Sequence, residues 1–480
     1  MPQLITALLV ALLVVLIIMI IKTLQFKPNQ KVVDPSPPLD LNEKRIIESL
    51  KAMIRFKTVS YVDKRKEDPK PFELFKSYLV KRYPWIETHA KLEYLGDRGI
   101  LIHLKGSTQE APLVLMSHYD VVPKNGTWAY DAFLGDVIDD RVYGRGALDT
   151  KGTLCSIMEA VHHHIEQKTP LKRDLYLAFG GDEEIRGGSA DMIVEHLRAQ
   201  GIQPAMVLDE GGAIVEGMFP GVAKPIAVIG TAEKGFMAVT LKAHDAGGHA
   251  STPPKESAIT LLANAITRLN DRQLFPVKRN LVMDQMFDTL GRHSDGFMMR
   301  MIFANLWLTF PLVRFLSKRK GGQLLAMLKT TQAFTMMQGS EAINVLPSEA
   351  SIGINYRIIV GEDGAHVETK IRQALSDLPI EVIVDYTTDP TTVSHDDKTY
   401  DKLTQTIRKI WPDVITTPYL MMAATDSRYY HKISQHVYRF SAMPLSQEEF
   451  AMIHAANESI HVDNLINTVR FYVQLIEDFN

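Results

Sequence analysis

Cysteine is almost absent from this sequence, since Cys155 is the only one among 480 residues. A single cysteine excludes an intramolecular disulfide and any cysteine-rich zinc site. We interpret Cys155 as a small, buried, apolar residue. Any metal that this chain binds must therefore be held by histidine, aspartate or glutamate.

An excess of positive charge is absent as well. The formal net charge is -3, so the composition gives no reason to expect a nucleic acid as a partner. The hydrophobic share of 46% and the charged share of 23% are ordinary for a globular protein. A chain of this length can form two or three domains with a sizeable core.

One long apolar run without charge is present at the N-terminus, over residues 4–21. As a helix it would be about 27 Å long, enough to cross the hydrocarbon core of a bilayer. No basic segment precedes the run and no small-residue cleavage site follows it. We therefore predict an uncleaved single-pass membrane anchor, with a removed signal peptide as the alternative. Lys22, Lys27 and Lys31 follow the run, which favours a cytoplasmic body by the positive-inside rule.

Composition and periodicity divide the rest of the chain into four segments. Residues 22–40 form a proline-rich linker, which favours an extended tether. Short apolar strands then alternate with helices over 41–233, a pattern typical of an α/β fold with a mostly parallel central sheet and helices on both faces. Half-exposed strands over 234–388 predict a smaller α+β domain inserted into the first domain, which resumes over 389–480.

Hydrophobic periodicity also predicts the individual elements. In the first domain we expect strands at 112–122, 174–181 and 204–212 and helices at 41–56, 152–167 and 190–201. In the inserted domain we expect strands at 235–246, 350–360 and 380–386 and helices at 257–269 and 366–375.

Side chains that ligate metals stand where the predicted strands of the first domain end. They are His118 and Asp120, Glu183 and Glu184, and Asp209 and Glu210, joined by Asp149 in a glycine-rich turn before a helix. Because the carboxyl ends of parallel strands meet at one edge of a sheet, we expect these groups to converge in one crevice. For Asp149 alone, helix capping is an alternative role. Histidine with carboxylates suits zinc best, and manganese or cobalt are alternatives.

Six segments carry or accompany these residues: MSHYDVVP, GRGALDTKG, GGDEEIRGG, VLDEGG, GGHASTPP and IHAANESI. In this order they resemble the co-catalytic zinc peptidases related to carboxypeptidase S, glutamate carboxypeptidase, aminoacylase and carnosinase. The long insert and the TDSR of 425–428 are most similar to the branch of carboxypeptidase S and the N-fatty-acyl-amino-acid synthase/hydrolases. The resemblance implies a zinc-peptidase catalytic domain that carries an inserted lid or dimerisation domain.

The resemblance also implies roles within the crevice. Two zinc ions would each be held by one histidine and one carboxylate, with a further carboxylate between them: His118 and Asp209, Glu184 and His454, and Asp149 as the bridge. Asp120 would hydrogen-bond the His118 imidazole and fix its tautomer, and Glu183 would be the general base. In extended backbone neighbouring side chains point to opposite sides, so we expect Glu184 to bind metal while Glu183 faces the attacking water.

Four further residues are placed at the substrate by the same resemblance. His249, reaching over from the inserted domain and in some relatives from a partner subunit, would stabilise the oxyanion. Asn344 and Arg357 would contact the oxyanion or a substrate carboxylate, and Arg428 is a second candidate for the carboxylate. Two alanines at 423–424 stand where relatives have glycines, which narrows the pocket beside Arg428.

We therefore predict a membrane-attached metallocarboxypeptidase that releases a C-terminal amino acid from a short peptide or an N-acyl amino acid. Alternatives on the same two metals are an N-acyl-amino-acid amidohydrolase or synthase and a dipeptidase or aminopeptidase. An alternative of another class is an inactive binding module. The inserted domain offers a route to a homodimer. Members of the branch enter the secretory pathway, whereas the lysines favour a cytoplasmic body, so the side of the membrane stays open.

A second strongly apolar stretch covers residues 296–315. Arg300, Asn305, Pro311 and Arg314 interrupt it, which argues against another membrane span. One interpretation is packing within the inserted domain. The other is a surface that holds a fatty acyl chain or rests on the membrane beside the anchor.

Overall fold

The structure, a computed structural model, describes residues 1–217, 219, 221–394 and 397–480. Its helices are α1 (Pro2–Gln25), α2 (Glu43–Arg55), α3 (Lys70–Arg82), α4 (Trp85–His89), α5 (Lys151–Glu166), α6 (Ser189–Ala199), α7 (Ala258–Asp271), α8 (Leu281–Arg292), α9 (Phe297–Ala304), α10 (Leu306–Lys320), α11 (Gly322–Ala326), α12 (Gly364–Ala374), α13 (Lys398–Ile410), α14 (Gln447–Met452) and α15 (Val462–Phe479). Short 3-10 helices cover Lys64–Lys66, Glu183–Ile185 and Asp426–Lys432.

The strands are β1 (Ala90–Leu95), β2 (Gly99–Leu104), β3 (Leu113–His118), β4 (Val137–Ile138), β5 (Arg141–Tyr143), β6 (Leu175–Gly180), β7 (Met206–Val215), β8 (Ile226–Glu233), β9 (Gly235–His244), β10 (Gly248–His249), β11 (Thr331–Gln338), β12 (Val345–Leu346), β13 (Glu349–Ile358), β14 (Ile380–Thr388), β15 (Ile415–Met421), β16 (Val437–Leu445) and β17 (Ser459–His461). Every helix and strand predicted from periodicity is present, although most ends differ by a few residues.

The larger unit is built on an eight-stranded sheet with the order β1-β2-β6-β3-β7-β16-β8-β15. The predicted α/β class is confirmed, but the sheet is mixed. The four middle strands β6, β3, β7 and β16 are parallel, while β2 and β8 run against their inner neighbours. Because the parallel strands occupy the middle of the sheet, the carboxyl ends of β3 and β6 lie side by side.

Side chains of the central strands alternate between two buried faces. In β3, Leu113 and Leu115 belong to the large core that contains α2, α5 and α15, whereas Val114 and Met116 pack in a second core against α6. This alternation is the two-residue period of a strand whose faces are both covered. Helices on both sides of the sheet therefore hold the strand ends in place.

The smaller unit is a four-stranded antiparallel sheet with the order β11-β13-β9-β14, covered by α7 and α12. It has a core of its own, to which alternate residues of β9 contribute, including Met237, Val239 and Leu241. The strand β9 begins at Gly235 and β14 ends at Thr388, close to the predicted limits of the inserted domain.

The middle of the inserted segment does not pack in this smaller unit. Met283, Met286 and Phe287 of α8 are buried in the core of the large unit, as are Leu306 and Val313 of α10. Helix α8 lies against β15. Residues 296–315 therefore stay outside the core of the smaller sheet. Helix α9 packs on α8 and α10 packs on α9 and α11, all within the inserted segment, and Leu306 and Val313 join the core cluster that also contains residues of the large unit.

The linker between α1 and α2 lies on the body instead of projecting from it. The side-chain amide of Gln30 donates to the Thr416 carbonyl at 2.8 Å, and the Ser36 amide donates to the Lys409 carbonyl at 3.0 Å. Arg408 also donates to the carbonyl of Lys31. The extended conformation matches the proline content, but hydrogen bonds fix the segment along α13 and β15.

Candidate metal centre

Histidines and carboxylates form two groups that share one member. His118, Asp149 and Glu210 form the first group, and Asp149, Glu184 and His454 form the second. The Nε2 atom of His118 lies 3.0 Å from Asp149 Oδ1 and 3.1 Å from Glu210 Oε1. The Nε2 atom of His454 lies 2.9 Å from Asp149 Oδ2 and 3.1 Å from Glu184 Oε2. The two oxygens of Asp149 thus face different groups, which is the arrangement of a bridging carboxylate.

Strand ends and tight turns bring these side chains together. His118 is the last residue of β3, and Glu184 lies in the 3-10 turn directly after β6. Asp149 stands just before α5, and its peptide bond to Thr150 is cis. His454 follows α14 with a φ of 62°, in the left-handed region. The structure thus shows the expected convergence for His118, Asp149 and Glu184, and His454, which only the resemblance implied, joins them.

The first group contains Glu210, whereas the family resemblance implied Asp209 as the ligand beside His118. The Asp209 carboxylate accepts backbone amides instead, from Glu210 at 2.9 Å through Oδ1 and from Ser427 at 3.0 Å through Oδ2. Neighbouring residues of β7 point to opposite sides, so only one of the two acids can face His118. The contacts therefore favour Glu210 over Asp209 as a ligand.

The prediction that Glu183 and Glu184 lie in extended backbone is wrong. Both lie in the 3-10 turn Glu183–Ile185, in which successive side chains diverge by about 120°. Glu184 turns to His454, whereas the charges that act on Glu183 are those of His118, Asp426 and Glu210. The two glutamates therefore still serve different partners, through the twist of a tight turn.

Asp120 supports both His118 and the glutamate turn. Its carboxylate is fully buried, and Oδ1 lies 3.3 Å from His118 Nδ1. Asp120 also accepts the backbone amides of Glu183 at 3.1 Å and Glu184 at 3.2 Å and the Ser60 hydroxyl at 2.7 Å. The contact with Nδ1 fixes the orientation of the His118 ring, so that Nε2 is directed to the two ligand groups.

A second buried acid, Glu458, fixes the loop that carries Asp149. Its carboxylate accepts the backbone amides of Gly146, Leu148 and Asp149 at 2.8–3.1 Å. The guanidinium of Arg145 pairs with it at 2.8 Å, and both side chains are almost fully buried. Glu458 therefore holds the bridging carboxylate in position through the backbone.

The centre holds more buried acid than its histidines can neutralise. Burial raises the pKa of Glu210 to about 7. Burial also raises the pKa of four further acids: Glu183, Glu184, Asp209 and Asp426. Hydrogen bonds to Asp149 and Glu184 raise the pKa of His454 to about 10. Among the described residues, no hydrogen-bond partner meets the buried Oε1 atom of Glu184. Divalent cations fit this donor set, since they supply the missing positive charge and a partner for the free oxygen.

Two predicted substrate residues lie on the surface of the inserted segment. His249 is exposed in β10, where its Nδ1 accepts the amide of Ser251 at 3.1 Å. Asn344 is also exposed, and its carbonyl accepts the amide of Ala250 at 3.0 Å. Among the described residues, these contacts join the loop of His249 to the loop of Asn344, and none of them joins either residue to the two ligand groups.

Each of the two predicted arginines lies close to Phe236. The Arg357 guanidinium is 5.1 Å from the centre of the Phe236 ring. Arg428 and Phe236 line a small pocket together with Ala424, one of the two alanines that stand in place of glycines. Arg186, which directly follows the glutamate turn, lies 4.0 Å from the same ring and lines the same pocket. Burial, together with the charge of Arg186, lowers the pKa of Arg357.

The resemblance assigns no role to several residues of the centre that stand in its motifs, and of these the strand-end pattern indicates only Glu210 as a candidate ligand. Glu210 stands beside Asp209 in VLDEGG, Arg186 ends the acidic run in GGDEEIRGG, and Glu458 lies in IHAANESI. Asp426 of TDSR is buried beside the strand end that leads to Glu183. The signal for each was an acid or a base inside an already selected motif.

Comparison with known proteins matches most of the chain to one family. The family model described as peptidase family M20/M25/M40 matches residues 114–478. The N-fatty-acyl-amino acid synthase/hydrolase PM20D1 of Xenopus tropicalis is 32% identical over 443 residues, which are 91% of this chain and 86% of that protein. The probable carboxypeptidase S-like 2 of Dictyostelium discoideum is 30% identical over 476 residues, 96% of this chain and 91% of that protein.

Solved structures share the fold. The M20 family metallo-carboxypeptidase Sso-CP2 from Sulfolobus solfataricus aligns with a TM-score of 0.65 at 17% identity, covering 90% of this chain and 98% of that one. Human carnosine dipeptidase 1 aligns with a TM-score of 0.60 at 15% identity, covering 91% of this chain and 96% of that one. At these identities the alignments show a common architecture of both units.

Substituting Asp209 and Glu210 of β7 one at a time shows which of the two candidate ligands binds metal. We expect Glu210→Gln to lose the metal held with His118, because a neutral amide is a much weaker ligand than a carboxylate. Asp209→Asn keeps the shape of a side chain that the structure bonds to backbone amides, so its metal content should equal that of the parent chain. Metal per chain after dialysis is measured by mass spectrometry. Loss in Asp209→Asn with full content in Glu210→Gln would restore Asp209 as the ligand.

Removing the carboxylate of Glu458 should destabilise the whole protein. Glu458→Ala leaves the Arg145 guanidinium buried without its partner, a change that costs about 3–5 kcal/mol. We expect the free energy of unfolding in denaturant to fall by that amount. Glu448→Ala, at an exposed acid nearby in sequence, is the control and should change it by less than about 0.5 kcal/mol. An unfolding curve for Glu458→Ala that overlays the parent's would remove the buried pair from its structural role.

Proposed function

Because this chain belongs to the peptidase family M20/M25/M40 and is a metal-dependent amide hydrolase, we propose that it releases the C-terminal amino acid from a short peptide or an N-acyl amino acid. The observation that carries the proposal is the pair of ligand groups joined by Asp149, with Glu183 beside them. The resemblance found in the six motifs is confirmed by the family match. The alternative of an inactive binding module is not favoured, because the ligand groups and the base are all present.

The proposed cofactor is two zinc ions, with cobalt or manganese as substitutes. His118 and Glu210 would hold one ion, Glu184 and His454 the other, and Asp149 both. Nitrogen and oxygen donors without sulfur suit zinc, and the buried negative charge suits divalent ions in general. When bound, such ions acidify a water molecule and polarise a carbonyl group.

The side chains of the protein supply the proton transfers. Glu183 is partly buried, and its burial together with the charges of Asp426 and Glu210 raises its pKa well above the usual range. A carboxylate of this kind takes a proton from water readily, and as an acid it can return the proton to the nitrogen of the leaving amine. Asp120 keeps the turn in place through the amides of Glu183 and Glu184.

The arginines near Phe236 are proposed to recognise the substrate carboxylate. Arg186, Lys234 and Arg428 line the pocket beside Phe236 together with two acids, Glu233 and Asp389, and Arg357 lies near the same ring. Glu233 is already paired with Arg439, so the cations of the pocket outnumber its remaining acid, which favours binding of an anion. Guanidinium groups bind carboxylates in a bidentate manner. Arg186 follows Glu184 by two residues, so this cationic pocket is linked directly to the turn that carries the base. His249 and Asn344 stay predictions for the oxyanion, because they lie on the surface of a single chain.

Hydrolysis or synthesis of N-acyl amino acids is the second candidate. The relatives named N-fatty-acyl-amino acid synthase/hydrolase cover about nine-tenths of this chain, as do those named carboxypeptidase S-like. Both activities need a free carboxylate on the substrate, and so does a dipeptidase, whereas an aminopeptidase needs only a free amine. The cationic pocket therefore disfavours the aminopeptidase alone.

A membrane anchor and a homodimer complete the proposal. Helix α1 is long and apolar enough to cross a bilayer, and its apolar window has no buried residue. The exposed loop of His249 is where a second subunit would be expected to meet the first.

The base and the metals can be separated in one experiment. We expect Glu183→Gln to keep its metal and lose at least about 1,000-fold in turnover, since the amide cannot accept a proton. A chelator should abolish hydrolysis by the parent chain, and added zinc should restore it. Metal content and hydrolysis of dipeptides and N-acyl amino acids are measured on the same preparations. Unimpaired turnover in Glu183→Gln would exclude Glu183 as the base.

The specificity of the cationic pocket is tested with substrates that differ at one end. Arg428→Gln should raise KM for substrates with a free carboxylate by about 10- to 100-fold, the effect of losing one charged hydrogen bond. The amidated form of the same substrate should be cleaved slowly by both proteins, without a further change. Arg198→Gln, at an exposed position on α6, is the control. An unchanged KM in Arg428→Gln would place carboxylate recognition elsewhere.

A further inference from the structure

The C-terminal end of α1 is docked on the insert helices α9 and α10. The side-chain amide of Asn305, between the two helices, donates to the Met19 carbonyl and to the Thr23 hydroxyl, both at 3.3 Å. Thr23 is fully buried by this contact. The ammonium of Lys22 lies 5.5 Å from the centre of the Trp307 ring. The anchor helix thus meets the body through the insert.

Helix α8 holds the residues that follow the anchor. The Arg292 guanidinium lies 4.5 Å from the centre of the Phe26 ring and donates to the Lys27 carbonyl at 3.2 Å. Phe26 is buried. The chain therefore leaves α1 in a fixed direction, and the position of α9 and α10 relative to α1 is set by packing and hydrogen bonds.

Next to this contact, α9 and α10 expose a set of large apolar side chains. Seven of them have 44–62% of their surface exposed: Phe297, Met298, Trp307, Leu308, Leu312, Phe315 and Leu316. No described residue of α9 is buried. Leu308, Leu312, Phe315 and Leu316 are spaced three or four residues apart, so they share one face of α10. An exposed apolar face of this kind marks a contact with a partner or a membrane.

The shape and charge of the two helices suit the surface of a bilayer better than its interior. They meet at an angle of 112°, and α10 alone has 15 residues, or about 22 Å, too short to span the hydrocarbon core. Helix α10 ends with Lys318, Arg319 and Lys320. Tryptophan and basic residues beside apolar side chains are typical of helices that lie at the boundary between headgroups and acyl chains.

We propose that α9 and α10 form a second membrane contact and lie in the headgroup boundary of the bilayer that α1 enters. The last turns of α1 carry Met19, Lys22 and Thr23, so whatever touches them lies at the bilayer surface once the preceding apolar residues are inserted. Continuity with α1 favours lipid over a second protein copy as the occupant of the exposed apolar surface. The body is then held at two sites and in one orientation. The proposal needs α1 in the bilayer and is independent of the catalytic activity.

Site-directed spin labelling of the full chain tests this placement. Cys155 is fully buried, so a single introduced cysteine can be labelled selectively. Labels at Leu312→Cys and Phe315→Cys report on α10, Leu12→Cys reports on the anchor, and Val62→Cys reports on an exposed loop of the body. The chain is reconstituted in vesicles of phosphatidylcholine and phosphatidylserine. Collision rates with oxygen, which enters lipid, and with a water-soluble nickel chelate are then measured.

The expected result is a ratio of oxygen to nickel collisions at 312 and 315 that is several-fold above the ratio at Val62→Cys and below that at Leu12→Cys. Ratios equal to the Val62→Cys value would overturn the proposal, since α10 would then face water. Immobilised labels that collide with neither reagent would also overturn it and indicate a contact with protein. A water-like ratio at Leu12→Cys would do the same, because the anchor would lie outside the bilayer.

A second measurement avoids cysteine variants of α10. Fluorescence of the parent chain is recorded in vesicles that contain brominated lipids, which quench tryptophan at short range. We expect most of the quenching to disappear in Trp307→Phe, because Trp85 is buried and Trp128 and Trp411 are partly buried against apolar clusters of the body. Equal quenching of the parent and Trp307→Phe would overturn the proposal. Hydrolysis of a dipeptide or an N-acyl amino acid confirms that each variant is folded.

Discussion

The structure depends on negative charge that its own cations do not neutralise. Acids from β3, β6, β7 and the loop before α5 meet in one buried region, where two histidines face several carboxylates. The acids divide into two kinds. Asp120, Asp209 and Glu458 are supplied with backbone amides, whereas Glu184 keeps a buried oxygen that meets no donor among the described residues. The amides fix the supporting acids in place, and the remaining acids are left for metal ions.

Much of this arrangement follows from the sequence. Strand periodicity is a local signal, and the carboxyl ends of parallel strands always meet at one edge of the sheet. Apolar runs located β3, β6 and β7, and the residues at their ends had to meet at one edge. The choice between Asp209 and Glu210 did not follow. Pairing of β7 with β16 is irregular just after Asp209. The direction in which the Asp209 and Glu210 side chains point is therefore set by the neighbouring strand. The turn of Glu183 and Glu184 likewise depends on Asp120, which is distant in sequence.

The insert and the linker show a second limit of sequence reasoning. Composition indicated an apolar stretch over 296–315, which forms α9 and most of α10, and a proline-rich tether over 22–40, which is without helix or strand after α1 ends at Gln25. Their partners could not be inferred, because α8 packs on β15 and the linker bonds to α13 through contacts hundreds of residues away in sequence. Periodicity tells which face of a helix is apolar, but it does not tell which surface covers it.

Asp149 gives the two ligand groups a property that neither would have alone. One oxygen faces His118 and the other faces His454, so a single charge is divided between both groups. Occupation of one group withdraws part of that charge from the other while it also fixes the carboxylate in the bridging orientation. The two effects act in opposite directions on the second affinity, and by thermodynamic reciprocity they act equally whichever group fills first. If metal ions fill both groups, their affinities are coupled through Asp149, and each dissociation constant has meaning only for a stated occupancy of the other group.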